Sequence, residues 1–180
     1  MNSANQYETA TLGNGCFWCT EAIFMQLKGV IKVQSGYSGG TTINPDYKSV
    51  CSGTTGHAEC LNITFDSSII SFDELLTVFW KTHNPTSLNK QGEDIGTQYR
   101  SVIFYHNDTQ LKVAKDYIQQ LTENKIFDKD IVTTLEPMIT FYPAEDYHQN
   151  YLALNGHNPY CQIVVRPKVE KFKKEFTHLL

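Results

Sequence analysis

The sequence predicts an α+β domain, a two-layer sandwich of helices on one sheet, and three observations predict it. Short apolar runs with period-two alternation recur along the chain. The intervals between them carry apolar residues at helical steps of three and four. With 180 residues, 41% hydrophobic and 19% charged, the chain can bury one sizeable core and is too short to make two domains the default.

Taken in order, strands are expected over 7–12, 30–37, 57–65, 99–105 and 131–138. A helix begins within the motif GCFWCTEA and stops near Gly29. The clearest helix runs over 71–83, with Phe72, Leu75, Leu76, Phe79, Trp80 and His83 on one face and Ser71 with Glu74 as a capping box. Another starts after Asn107, with Gln110 three residues on and Leu111, Ala114, Ile118 and Leu121 along one stripe. From Pro167 onward, Val169, Phe172 and Phe176 line a short helix whose lysines, Lys168, Lys171, Lys173 and Lys174, form a solvated face. The order, strand, helix, strand, strand, helix, strand and then a further helix and strand, is a ferredoxin-like split βαβ pattern with an extra unit. Two stretches rich in Gly, Pro, Asn and Asp, 35–53 and 83–101, read as long irregular loops, which in a small domain are usually functional.

Charge and composition exclude several classes of function. A net charge of -4 and a pI near 5.8 leave no basic field for a phosphate backbone, so nucleic acid is not an expected partner. The amino-terminal stretch MNSANQYETA has neither a positive start nor an apolar run, and nowhere do about 18 consecutive apolar residues occur, so no membrane is expected and a cytoplasmic location is the default. Cys16, Cys19, Cys51, Cys60 and Cys161 make an odd number, a poor fit to a fully paired secreted framework. In a reducing compartment such thiols are catalytic, metal-bound or simply buried.

Cys16 follows a strand and a Gly-Asn-Gly turn at the start of a predicted helix, where free N–H groups and the helix dipole favour an anion. Its thiolate is expected to form more readily than that of a free cysteine, and Gly13 and Gly15 let the backbone turn so that the sulfur is exposed at the sheet edge. A core cysteine among core aromatics is the plainer alternative. The Cys16/Cys19 pair also admits thioredoxin-like exchange, or half of a zinc site completed by Cys51, His57 and Cys60, although no second Cys-x-x-Cys exists. If the strand near His57 keeps period two, Glu59 shares a face with Leu61, Ile63 and Phe65 while Cys60 faces the other way. A carboxyl on an apolar face holds its proton near neutral pH and becomes a candidate general acid, unless it sits at the strand end and reaches solvent.

The motifs GCFWCTEA, GYSGG, NPDYKSVCSGTTGHAE, QGEDIGTQYRS and PAEDYHQNYL, in this order, resemble those of methionine sulfoxide reductase A, the peptide-methionine (S)-S-oxide reductases. The resemblance implies a nucleophilic Cys16 attacking the sulfoxide sulfur, Glu59 as proton donor, Tyr47 and Tyr99 on the sulfoxide oxygen, Asp94 orienting the site, and Phe17 and Trp18 as walls for the substrate methyl group. It implies Cys161 as the resolving thiol on a mobile carboxy-terminal segment from about 155 of a single domain, with thioredoxin as the reductant of a monomer that needs no cofactor or metal. Cys19 stands where many members have glycine, which makes it a competing resolving thiol, a relay or a bystander. Cys51 and Cys60 are read as small core side chains, His57 as fixing the loop before Glu59, and His148 as bracing the carboxy-terminal helix.

Overall fold

In the computed structural model, which describes residues 6–180, the chain opens with β1 (Tyr7–Asn14), α1 (Phe17–Phe24), β2 (Val30–Ser38), α2 (Tyr47–Cys51) and β3 (Ala58–Asp66). It continues with α3 (Phe72–Lys81), a small hairpin of β4 (Lys90–Gln91) and β5 (Asp94–Ile95), β6 (Ser101–Tyr105) and α4 (Asp108–Glu123). The strands β7 (Thr134–Pro137) and β8 (Phe141–Pro143) follow, then α5 (Tyr151–Leu154) and α6 (Arg166–Glu175), the last entered through a π-helical turn over Cys161–Val165.

The main sheet has the order β7-β6-β1-β3-β2-β8. Its central four strands, β6-β1-β3-β2, pair antiparallel throughout, which is the split βαβ arrangement expected from the element order. The extra unit places β7 parallel to β6 at one margin, and β8 adds antiparallel to β2 at the other. One sheet face buries Ala10, Leu12, Leu61, Ile63 and Phe65 against α1 and α3, and α6 packs on α1. The opposite face carries a smaller cluster, Ala58, Cys60, Val102 and Phe104, covered by Met138 and Phe141.

The helix starts follow their expected caps. Ser71 and Glu74 form both halves of the capping box, at 2.9 Å and 3.1 Å, and Asn107 accepts from the Gln110 N–H at 2.9 Å. The strand expected from residue 99 begins at Ser101, because Thr97–Tyr99 close a 3-10 turn first.

The two stretches expected to be irregular are corrected in part. The first holds α2, capped reciprocally by Asp46 and Ser49 at 2.8 Å and 3.1 Å, and the second holds the β4/β5 hairpin turning at Gly92 with φ 59°. A single capping pair stabilises a helix of five residues that has no room to display periodicity. β8, with three residues, went unread for the same reason. The carboxy-terminal segment packs Cys161, Val165, Val169, Phe172 and Phe176 into the main core, while Lys168, Lys171 and Lys174 face solvent.

Among the described residues no helix is long and apolar enough to cross a membrane. The amino-terminal reading rested partly on Met1 to Asn5, which lie outside the described residues.

Candidate active site

Two glycines set the position of Cys16. A Cβ on Gly13 would stand 3.0 Å from the Glu59 carbonyl and 2.8 Å from the Val102 side chain, so β1 lies closer to its neighbours than a side chain permits. Gly15 has φ 103°, a conformation L side chains rarely adopt, and it turns the chain sharply from β1 into α1. Cys16 is then the N-cap of α1, with extended backbone and no side-chain cap bond. The first turn is pinned by the Thr20 hydroxyl, which donates to Asn14 Oδ1 at 2.8 Å.

Cys16 is half-buried, and Cys19, one turn along α1, is buried. Cys16 and Cys19 line one cavity close enough to shift each other's ionisation, and the Tyr160 hydroxyl bears on both. The pair titrates as one unit. The adjacent Cys16 thiol holds Cys19 below the usual thiol range, helped against burial by the Lys168 ammonium, whereas Cys16 is pushed well up by the adjacent Cys19 thiol, by burial and by the charge of Cys19. This corrects the expectation that Cys16 ionises more readily than a free cysteine. The helix-terminal N–H of Trp18 does favour its anion, but the adjacent sulfur outweighs it and takes the first negative charge.

Glu59 is 2% exposed and lies on the same face of β3 as Leu61, Ile63 and Phe65, with Cys60 opposite. The solvent-reaching alternative does not hold. Burial first, then the nearby charge of Cys16, push its carboxyl well above the ordinary range, against opposing bonds from the Phe17 N–H and the Tyr99 hydroxyl. Its Oε2 is buried without a hydrogen-bond partner among the described residues. A carboxyl in this setting carries a proton at neutral pH and has a free face from which to deliver it.

Loops bring the remaining polar groups to Glu59. Tyr47 opens α2, and its N–H donates to Glu145 at 3.1 Å; Glu145 also accepts from Tyr37 and Tyr147 at 3.1 Å and 2.9 Å. Tyr99 ends the 3-10 turn before β6. Burial, followed by the charge of Glu59, raises both phenols, so each remains a neutral hydrogen-bond donor. Asp94, on β5, accepts from the Tyr160 hydroxyl at 3.2 Å and lines the same cavity of about 250 Å³ as Cys16, Cys19 and Lys168.

Of the two expected apolar walls, Phe17 is 1% exposed and packs its ring on Tyr37 and His148, with centroids at 5.8 Å and 5.2 Å, while Trp18 is half-buried. Sequence reasoning gave no role to the groups around Trp18. Tyr151 stacks on it at 3.8 Å, Tyr160 meets it edge-on at 5.7 Å, and His148 Nδ1 accepts its indole N–H at 3.0 Å. His148 therefore braces Trp18 and not the carboxy-terminal helix, a correction; burial keeps its ring neutral, which leaves Nδ1 free to accept. The only sequence signal for these contacts was PAEDYHQNYL, which supplies Glu145, His148 and Tyr151.

Cys161 is fully buried beside Tyr160. Cys60 is buried, and burial raises its thiol far above the usual range. Cys51 is exposed at the end of α2, against the expectation of a core position, because α2 lies on the surface and buries Val50 alone. His57 is buried and clamps a loop: Nδ1 accepts from the Gly40 N–H at 3.0 Å and Nε2 donates to the Thr42 carbonyl at 2.7 Å. Among the described residues no three His, Cys, Asp or Glu side chains converge as metal ligands, so the zinc arrangement through Cys51, His57 and Cys60 has no geometric basis.

Residues 8–180 match the family described as Peptide methionine sulfoxide reductase. A relative from Saccharolobus solfataricus, Peptide methionine sulfoxide reductase MsrA, is 55% identical over 169 residues, 94% of each chain. The crystal structure of Mxr1 from Saccharomyces cerevisiae in reduced form is similar at 35% identity and a TM-score of 0.79, covering 89% of this chain and 92% of that one. Mxr1 in complex with Trx2 shares the fold at 24% identity and a TM-score of 0.56, over 84% of this chain and 88% of that one. This chain belongs to the peptide methionine sulfoxide reductase family.

Proposed function

We propose that the chain reduces methionine sulfoxide, free or within proteins, to methionine, acting on the S epimer and so repairing oxidative damage. The carrying observation is a proton-holding carboxyl, Glu59, sealed on an apolar strand face with the Cys16 sulfur as its neighbour. A thiol attacking a sulfoxide must expel an oxygen that leaves poorly unless it is protonated, and a dry pocket with fixed donors makes that possible.

The Cys16 sulfur attacks the sulfoxide sulfur, Glu59 protonates the oxygen, and Tyr47 and Tyr99 hydrogen-bond it. In the resulting S–S adduct the protonated oxygen passes to the Cys16 sulfur: the Cys16 S–O bond forms as the substrate S–O and S–S bonds break, methionine leaves with the sulfur lone pair, and the thiol proton returns to Glu59. Cys16 holds the oxygen as sulfenic acid, the first rung of cysteine oxidation. Asp94 orients the polar side of the pocket, and Trp18, backed by Phe17, contacts the substrate's terminal methyl.

A second thiol of the chain then condenses with the sulfenic acid to a disulfide and water. The family pattern gives this role to Cys161, reached by unpacking of the segment from about 155, and Cys19 is the other thiol at hand. A thioredoxin-type dithiol returns the enzyme to its reduced state; support comes from the yeast relative Mxr1, found in complex with Trx2. The reading is of a cytoplasmic monomer.

The test is direct. Reduced protein supplied with dithiothreitol and racemic methionine sulfoxide should consume half of the substrate and leave the R epimer. Consumption of none, or of both epimers equally, refutes the reading.

A further inference from the structure

We infer that Cys19 is the thiol that closes the first disulfide with Cys16, ahead of Cys161. The inference rests on the sulfoxide reductase reading and names the partner thiol within it.

Three observations converge. Cys16 and Cys19 occupy the N-cap and third position of α1, where side chains three apart have Cβ atoms about 5–6 Å from each other. Disulfides hold Cβ atoms about 3.5–4.5 Å apart, so tightening this turn by about 1–2 Å suffices. The two cysteines line the same cavity of about 250 Å³, which Lys168 also lines. Cys161, by contrast, is fully buried in a π-helical turn and belongs to the core cluster of Val165, Val169 and Phe172.

The residue before Cys161 adds a barrier. Tyr160 lies over the sulfur pair with its hydroxyl on Asp94 and its ring edge on Trp18. Bringing Cys161 to Cys16 requires surrendering the core contacts of the segment that also carries Tyr160, whereas Cys19 needs no such move. A partner fixed one helical turn away in the same cavity reacts as an intramolecular nucleophile of high effective concentration. Lys168 and Tyr160 both favour Cys19 as an anion, the form in which a thiol attacks.

The step balances within the chain. The Cys19 sulfur attacks the Cys16 sulfur, the S–S bond forms, the S–O bond of the sulfenic acid breaks, and the leaving hydroxide takes one proton to become water. The two cysteines reach the disulfide level and the methionine formed accounts for the two electrons.

The experiment is a single turnover of the reduced full-length chain with methionine sulfoxide, quenched in acid at successive times, alkylated and mapped by mass spectrometry. No lysine or arginine separates the two cysteines, so the expected first product is a loop within one tryptic peptide, with Cys161 alkylated. Cys161→Ala should still lose two thiols per methionine formed. Adding Cys19→Ala to it should leave Cys16 as a sulfenic acid that dimedone traps stoichiometrically. A Cys16–Cys161 link appearing first, or a trapped sulfenic acid in Cys161→Ala alone, overturns the assignment while leaving the reductase reading intact. Absence of methionine in the same turnover would sink that reading and this one with it.

Discussion

The site has two halves of different construction. Cys16 caps α1 just past β1, whose last residue Asn14 pairs with Ser101, and Glu59 stands on β3, where pairing with Tyr37 of β2 fixes its backbone. Tyr47, Asp94, Tyr99 and Tyr160 arrive on a five-residue helix, a two-residue strand, a 3-10 turn and the short helical lead into a π-helical turn. The sheet half places the reacting sulfur and the proton and seals them from water. The loop half supplies neutral donors that must admit a substrate, and its stability is correspondingly local: α2 relies on the Asp46–Ser49 box and on Glu145. Rigid elements carry the groups whose geometry decides the chemistry, and loops carry those that shape access.

Substitutions at Glu59 should give the largest effect and reach deepest into the sheet half. Glu59→Gln is expected to slow methionine formation in a single turnover by about 10²–10⁴-fold. The wild type should lose rate as pH rises through the raised value of this carboxyl, and the Gln variant should lack that alkaline limb, so the gap narrows at high pH. Stability should move the other way. A raised carboxyl contributes fully below the ordinary Glu range and loses that contribution as pH climbs through its folded value, so Glu59→Gln should melt above wild type once pH has risen past that range. An unchanged rate, or equal melting at all pH values, would break the distinction.

Next come the donors on the loop half. Tyr47→Phe and Tyr99→Phe should each lower kcat about tenfold or more with little change in KM, since the bond matters most as charge builds on oxygen. His148→Phe removes the acceptor of the Trp18 indole and should raise KM about three- to tenfold with kcat nearly kept, measured in steady state. The smallest test compares two thiols outside the chemistry. Cys60→Ser buries a hydroxyl in the apolar cluster and should cost about 1–3 kcal/mol in chemical unfolding, whereas Cys51→Ala, exposed on α2, should stay within about 0.5 kcal/mol.

The same division explains what could be read from sequence. Period two on the strand of Glu59, the Ser71–Glu74 box and the Asn107 cap are repeated or paired local signals, and each appears in the structure as the residues imply. The Cys16 ionisation could not be read, because it depends on which neighbour takes the first charge, a balance among Cys19, Tyr160 and Lys168 drawn from α1 and the distant carboxy-terminal segment. The stacking of Tyr151 on Trp18 joins residues far apart in the chain with no periodic signal between them. A five-residue helix and a three-residue strand are shorter than the windows in which periodicity can be detected.

The margins of the main sheet bear on how a protein of this kind survives the company of damaged chains. β7 spans four residues and ends at Pro137, β8 spans three and ends at Pro143, and proline offers no amide hydrogen to an incoming strand. Both borders are thus short and blunted against pairing with an incoming strand.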